Sequence, residues 1–309
     1  MRALVTGATG FVGNRLVLRL LRDGWDVVCL IRRNVAASEK VGCLTADLND
    51  LPSLQLTERL AGPIDVFFHA GAALPAADLP LSHYLVANAL ATAALLEAAE
   101  AWKVRAFVYT SSLLVIGKPG QDPISTGQAS SPLHPYALGK LCGEQVCEFF
   151  RATGRVPTTS LRMTSIFGIG MSSGSVLPKF AARALQSQDL FFDGTGQRVQ
   201  NFVHVDDVVQ ACMLAANRPG AGVLNVGGAA SINMKELAEL VVKLTPGSKS
   251  RIEASGRTDP QENYRWIPDI TGTEVKIGYV PEVNLEKAVS EYIESLAQPT
   301  FVERWWNGQ

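Results

Sequence analysis

Apolar residues in the first half of the chain fall into short unbroken runs. Between these runs they recur every three or four positions. The runs within Ala3 to Val5, Asp26 to Ile31, Cys43 to Ala46, Ile64 to His69 and Ala106 to Thr110 predict five strands, and Thr159 to Arg162, after the glycine at 154, a sixth. The stripe Phe11, Leu16, Leu20, Leu21 predicts a helix stopped by Gly24, which can take the left-handed conformation a helix end needs. An Ala-rich segment of high helical propensity, Leu81 to Trp102, predicts a second helix. Tyr136 to Ala152, closed by Gly154, predicts a third. Strand and helix alternate throughout, which predicts an α/β fold with a doubly wound parallel sheet. The continuous apolar strands fit a sheet covered on both faces.

After about Phe167 the pattern loosens. Short elements such as Gly222 to Val226, and a helix after Ser231 with that serine as its N-cap, are separated by Gly-, Ser- and Pro-bearing stretches. Residues 1–166 are therefore expected to form the main domain. Residues 200–228 and part of 265–280 return to it, while 167–199 and 229–309 mainly build a smaller, interleaved domain over it.

Composition narrows the partners. The 309 residues are 47% apolar and 18% charged, enough to build a sizeable core. A net charge of −1 without a basic block argues against nucleic acid or an anionic membrane surface. No apolar run is long enough to cross a bilayer, and the N-terminus enters a strand without a signal-peptide pattern. Cys29, Cys43, Cys142, Cys147 and Cys212 are odd in number and include no CxxC pair. They are expected to be buried free thiols in a reducing cytoplasm. No His, Cys or Asp spacing suggests a metal site.

Two motifs carry chemistry. Gly7, Gly10 and Gly13, spaced by three, follow the first strand and open the first helix. One glycine makes the turn, another lets backbone approach a pyrophosphate, and a third lets helix pack closely on strand. Helix N-terminal amides then face the phosphates. Gly7, Thr9, Gly10, Phe11, Val12 and Gly13 are therefore expected to bind a dinucleotide in a Rossmann-type domain. The second strand ends Ile31-Arg32-Arg33-Asn34, without the carboxylate that usually holds the ribose hydroxyls of NAD. Arg32 and Arg33 suit a 2′-phosphate, which favours NADP(H), with NAD(H) the alternative. Asp47 and Leu48, just past the third strand, are candidates for the adenine.

The second motif is Tyr136-Ala137-Leu138-Gly139-Lys140, preceded by Ser111 and Ser112. Tyr136 and Lys140 share a helix face. An ammonium ~6 Å from the phenol, at an effective dielectric of ~20, contributes roughly 2.8 kcal/mol. That is about two pKa units, towards useful acid–base chemistry. Ser112 is placed to hold a substrate oxygen beside the tyrosine.

These residues resemble the extended short-chain dehydrogenase/reductase family, particularly its nucleotide-sugar epimerase/dehydratase branch. The resemblance runs through the N-terminal TGATGFVG, Thr110 to Gly117, Asn88 in VANALATAALLEAA, Phe202 to Asp207, and Gly222 to Gly227. It implies Tyr136 as acid/base, Lys140 as the residue that orients cofactor and tunes the tyrosine, and Ser112 as the holder of the reacting oxygen, with Asn88 in the same catalytic set. His69, Ala70 and Gly71 look like a family loop beside the cofactor phosphates, with the histidine structural. Departures matter too. Leu113 and Leu114 stand where dehydratases usually carry an acidic pair. Gln200 replaces a phosphate-binding arginine, with Arg198 nearby as a substitute. Arg257 matches a later one, Ser165 replaces a pocket asparagine, and Ser111 is a further substrate contact.

The resulting expectation is an NADP(H)-dependent reductase of a keto group, most favoured on a nucleotide-linked 4-keto sugar. The alternatives are an NAD-dependent nucleotide-sugar epimerase, a reductase of a non-sugar carbonyl, and a non-catalytic dinucleotide sensor. The resemblance also implies a homodimer, with the helices at 81–102 and 136–152 pairing across a two-fold axis. Trp305 and Trp306 fit equally well against the body or in an interface.

Overall fold

A computed structural model describes the chain except for residues 34, 38–39, 61, 299–301 and 308–309. Seven strands form one parallel sheet: β1 Arg2–Thr6, β2 Asp26–Ile31, β3 Val41–Thr45, β4 Val66–His69, β5 Ala106–Ser112, β6 Thr158–Met163 and β7 Gly222–Val226. Their order across the sheet is β7-β6-β5-β4-β1-β2-β3. Every neighbouring pair is parallel, so each connection must cross over a face. From β1 the chain builds outward to β3, then returns to the middle at β4 and builds the other way. The crevice at the carboxyl ends of β1 and β4 is thus the point where the order reverses, the place where open sheets of this kind bind ligands.

The strands alternate between two cores. Ala3 and Val5 pack with helix α1 (Phe11–Arg22) and helix α4 (Val205–Asn217), through Leu16, Val17, Val208 and Ala211. Leu4, Phe67 and Phe107 face the opposite side. There they meet residues 81–101, here called α2, and α3 (Pro135–Ala152). Helix α2 runs through Leu81–Leu85, a π-helical turn at Val86–Leu90, and Ala91–Ala101. Among the described residues no helix is long and apolar enough to cross a membrane.

A second body packs around Phe167, Leu177, Leu237 and Val289, with short strands Ser165–Phe167 and Val199–His204 at its junction with the sheet. Several local expectations change. The N-cap of the helix Met234–Leu244 is Asn233, not Ser231, which lies in a short strand. Asn233 accepts from Glu236 N while Glu236 reaches back to Asn233 N, a reciprocal cap that a lone serine two residues earlier cannot make. Cys43 is exposed because β3 is the sheet edge, whereas Cys29, Cys147 and Cys212 are buried. Trp305 is buried in the core beside α1, and Trp306–Asn307 pairs with Ala36–Ala37. The tail was expected with the smaller domain, but residues 302–307 return to the sheet body.

Candidate active site

The crevice is built on close backbone approach. Gly7 has φ +65°, and a Cβ there would lie 2.7 Å from the backbone of Ala70 and Gly71 in the loop after β4. A Cβ on Gly13 would lie 2.0 Å from Gly7 O. These two positions explain why the loop between β1 and α1 needs glycine. Gly10 is the N-cap of α1 and provides no side-chain cap, so the first amides of the helix are left for another acceptor. The arrangement fits a dinucleotide pyrophosphate. Thr9, Phe11 and Val12 flank these amides. Asp47 closes a turn on Asn49 N, and the Leu48 side chain approaches Gly71, so both stand beside the same crevice. Arg32 and Arg33 follow β2 as exposed side chains without a carboxylate partner among the described residues.

Beneath the crevice runs a buried polar chain. Gly71 N donates to Thr6 Oγ1 at 2.9 Å, and Thr6 Oγ1 lies 2.7 Å from His69 Nδ1. His69 Nε2 lies 3.1 Å from Thr92 Oγ1, which donates to Asn88 O. Thr92 spends its one proton on Asn88 O, so the imidazole donates to it through Nε2 and, in its neutral form, accepts from Thr6 at Nδ1. Complete burial, with Lys140 adding repulsion, holds the His69 pKa well below the ordinary histidine range. This chain places His69, Ala70 and Gly71 as a scaffold for the loop that faces Gly7.

Asn88 belongs to the same scaffold. It sits fully buried in the π-helical turn, accepts from Ala73 N at 2.8 Å and donates to Ala73 O at 3.2 Å. Both ends of its amide are committed to pinning the loop. In this structure its amide supports the loop after β4. Helix α3 reaches α2 through glycines: a Cβ on Gly139 would lie 2.8 Å from Tyr84 O, and one on Gly143 would lie 2.5 Å from Asn88 O.

Tyr136 and Lys140 stand on α3, whose start is set by Pro135 and by His134, which accepts from Tyr136 N. Ser112 ends β5, where its Oγ accepts from Leu114 N at 3.3 Å. Lys140 is only 2% exposed. Its Nζ donates to Thr110 O at 2.7 Å and lies 4.7 Å from the centre of the Tyr109 ring. The electrostatics differ from the expected simple lowering of the phenol. Burial pushes Tyr136 up to about 12, against the opposing hydrogen bond from Ser112. Burial pushes Lys140 down to about 7, opposed by Cys147 and Glu144. Both groups lose hydration together, so the neutral forms gain on the charged pair.

Ser111, expected at the substrate, instead donates to Glu144 Oε1 at 2.5 Å. Glu144, fully buried on α3, is held bidentately by Arg162 of β6, with Arg162 Nη2 at 2.8 Å. Arg162 also donates to Thr126 O and Ser130 Oγ, tying the loop before α3 to the sheet. The sequence reading missed this pair. Its signal was present as the one charged residue within a fully buried strand.

Ser165, Arg198 and Gln200, expected at the substrate, line one pocket of about 270 Å³ with Phe202 and Met234. Gln200 Nε2 donates to Ser165 Oγ at 2.8 Å, and Arg198 pairs with Asp259 at 3.1 Å. Arg257 is outside this lining, exposed and paired with Asp193 at 3.0 Å.

Comparison with known proteins accords with this geometry. Residues 3–227 match the model of the NAD dependent epimerase/dehydratase family. An uncharacterized UDP-glucose epimerase of Bacillus subtilis (strain 168) is 26% identical, over 96% of this chain and 99% of its own. A UDP-glucose 4-epimerase of Mycolicibacterium smegmatis is 29% identical, over 95% and 98%. The solved structure of MoeE5 in complex with UDP-glucuronic acid and NAD superposes with a TM-score of 0.82 at 26% identity, covering 97% of this chain and 100% of that one. The chain is an enzyme fold of the extended short-chain dehydrogenase/reductase type, and it belongs to the NAD dependent epimerase/dehydratase family.

Proposed function

We propose that this chain is a nucleotide-sugar epimerase that oxidises and re-reduces one substrate on a retained NAD. This reverses the order expected from sequence, which put an NADP(H)-dependent ketoreductase first. The observation that carries the reading is that Ser112 ends β5 at the carboxyl edge of the sheet, while Tyr136 and Lys140 share one face of α3 and Lys140 Nζ is held on Thr110 O, two residues before Ser112. Epimerase relatives matched over nearly their whole length support the same reading.

A nicotinamide held at the glycine loop by Gly7, Gly10 and Gly13 would supply hydride acceptance and return. The protein's own groups handle the proton. With its pKa pushed up to about 12, Tyr136 is a phenol at neutral pH, the form that donates to a carbonyl oxygen. Lys140, pushed down to about 7, changes charge in the working range. Charging it favours the phenolate and prepares Tyr136 to accept a substrate proton. Ser112 fixes the oxygen in either direction.

UDP-glucose and UDP-glucuronic acid, named with the relatives, are the substrates to offer first. A C4-deuterated sugar is expected to return as its epimer with deuterium retained. Loss of the label to added cofactor would refute the epimerase reading.

One observation favours the ketoreductase as a second reading. Arg32 and Arg33 are exposed and free of carboxylates among the described residues, as a 2′-phosphate site requires. Under that reading NADPH binds much more tightly than NADH and leaves after each turnover.

A homodimer is part of the proposal. Leu90 on α2 and Phe149 on α3 are 52% and 55% exposed, giving both helices an apolar outer edge. Sedimentation is expected to show a dimer at micromolar concentration; a monomer would remove it.

A further inference from the structure

The C-terminal segment lies against the dinucleotide loop rather than the smaller body. Trp305 is 3% exposed, and its Nε1 donates to Ala8 O at 2.8 Å, within the loop between Gly7 and Gly10. Asn14 of α1 donates to Glu303 O at 2.9 Å, and the Glu303 carboxylate pairs with Arg22 near the end of that helix. Trp306–Asn307 pairs antiparallel with Ala36–Ala37, only a few residues past Arg32 and Arg33. Three separate anchors thus fix residues 302–307 across the turn where the phosphates are expected.

This segment closes a cavity. Val302, Arg304 and Trp306 form one wall of a space of about 230 Å³, and Thr9, Gly10 and Phe11 form another. Arg304 is exposed and lies 5.4 Å from the Trp306 ring centre. It has no carboxylate partner among the described residues, because its neighbour Glu303 is drawn to Arg22. The space also receives the uncapped start of α1, which has no acidic residue in its first turn. Asn14 lines it too; this residue is 6% exposed, and its Oδ1 has no donor among the described residues. Open amides, a helix dipole and an uncompensated guanidinium on one small cavity make an anion site, and a buried free acceptor suits a ligand hydroxyl or water.

We propose that residues 302–306 are the outer wall of the dinucleotide site, and that Arg304 supplies the cation this wall contributes to the bound phosphates. The proposal rests on the dinucleotide reading of the glycine loop, and not on epimerisation. A wall anchored at Ala8, Asn14 and Ala37 slows escape of the cofactor. That is what an enzyme reusing one nicotinamide needs.

The test is NADH binding to the full-length protein, freed of bound nucleotide, by fluorescence titration and by the dissociation rate. Arg304→Ala is expected to weaken NADH about tenfold, the scale of one charge-assisted hydrogen bond, mainly through faster release. Arg304→Lys is expected to restore most of it, and adenosine, which has no phosphate, is expected to bind all three proteins alike. An Arg304→Ala protein with wild-type melting and NADH affinity within about twofold of wild type would overturn the role of the tail and leave the glycine loop standing. A wild type that binds no NADH would overturn both.

Discussion

The two sides of the crevice are built differently. On the dinucleotide side, between β1 and β4, the constraint lies in the backbone: Gly7 and Gly13 leave no space for a Cβ, and the loop after β4 is pinned by Thr6, His69 and Asn88. On the side proposed for substrate, the constraint lies in side-chain pairs, such as Arg198 with Asp259 and Gln200 with Ser165. Backbone constraints admit few residues and leave a fixed spacing. Side-chain constraints admit many solutions, so the pocket can change its ligand while the cofactor loop keeps its form.

The largest expected effect lies where the two sides meet. Tyr136→Phe keeps the ring and removes the hydroxyl proposed as acid and base, so turnover is expected to fall by about 10²–10⁴-fold. NADH affinity should stay within about twofold. Equal loss of both would mean that the hydroxyl serves cofactor binding instead of proton transfer.

Next comes the buried pair under the site. Arg162→Met leaves Glu144 charged and unpaired among apolar residues and is expected to destabilise the fold by about 3–5 kcal/mol in urea unfolding. The double change with Glu144→Gln should recover much of that. If the double variant is no better than the single, the pair is a net stabiliser rather than a mutual compensation.

A smaller effect separates the charge of Lys140 from its packing. Its folded pKa is depressed to about 7, against ~10.4 when unfolded. Between these values the unfolded chain holds the extra proton, so this residue's contribution to stability rises with pH. Lys140→Met is expected to flatten that rise, measured as the melting-temperature difference from wild type between about pH 7 and 9. A difference that does not change with pH would mean that Lys140 stays charged in the fold.

The smallest effect sharpens the cofactor side alone. With NAD as the resident cofactor, Arg32→Ala combined with Arg33→Ala should change NADH affinity by less than about twofold, since these side chains await a 2′-phosphate that NADH lacks. A tenfold loss would show that they grip the ribose or the pyrophosphate.

Legibility in the sequence follows the same division. The parallel sheet and its main helices could be read because most strands are short apolar runs, two of the helices end at a glycine and the third is rich in alanine. The glycine loop and the Tyr136–Lys140 pair could be read because their chemistry fixes the spacing. What could not be read depends on residues distant in the chain. Ser111 is taken by Glu144, Asn88 spends its amide on Ala73, and Trp305 reaches Ala8 from almost 300 residues away. The pKa directions were also hidden, because spacing gives the Tyr–Lys attraction but not the burial that opposes it. Arg257 matched by position alone, and its neighbour Asp193 holds it outside the pocket lining.

The central claim is that one nicotinamide stays with the protein and returns the hydride it takes. It is tested most directly by denaturing freshly purified protein and identifying the nucleotide released. The account predicts NAD or NADH at close to one per chain, surviving gel filtration. Protein that emerges empty and takes up exchangeable NADPH in preference to NADH would contradict it and put the ketoreductase first.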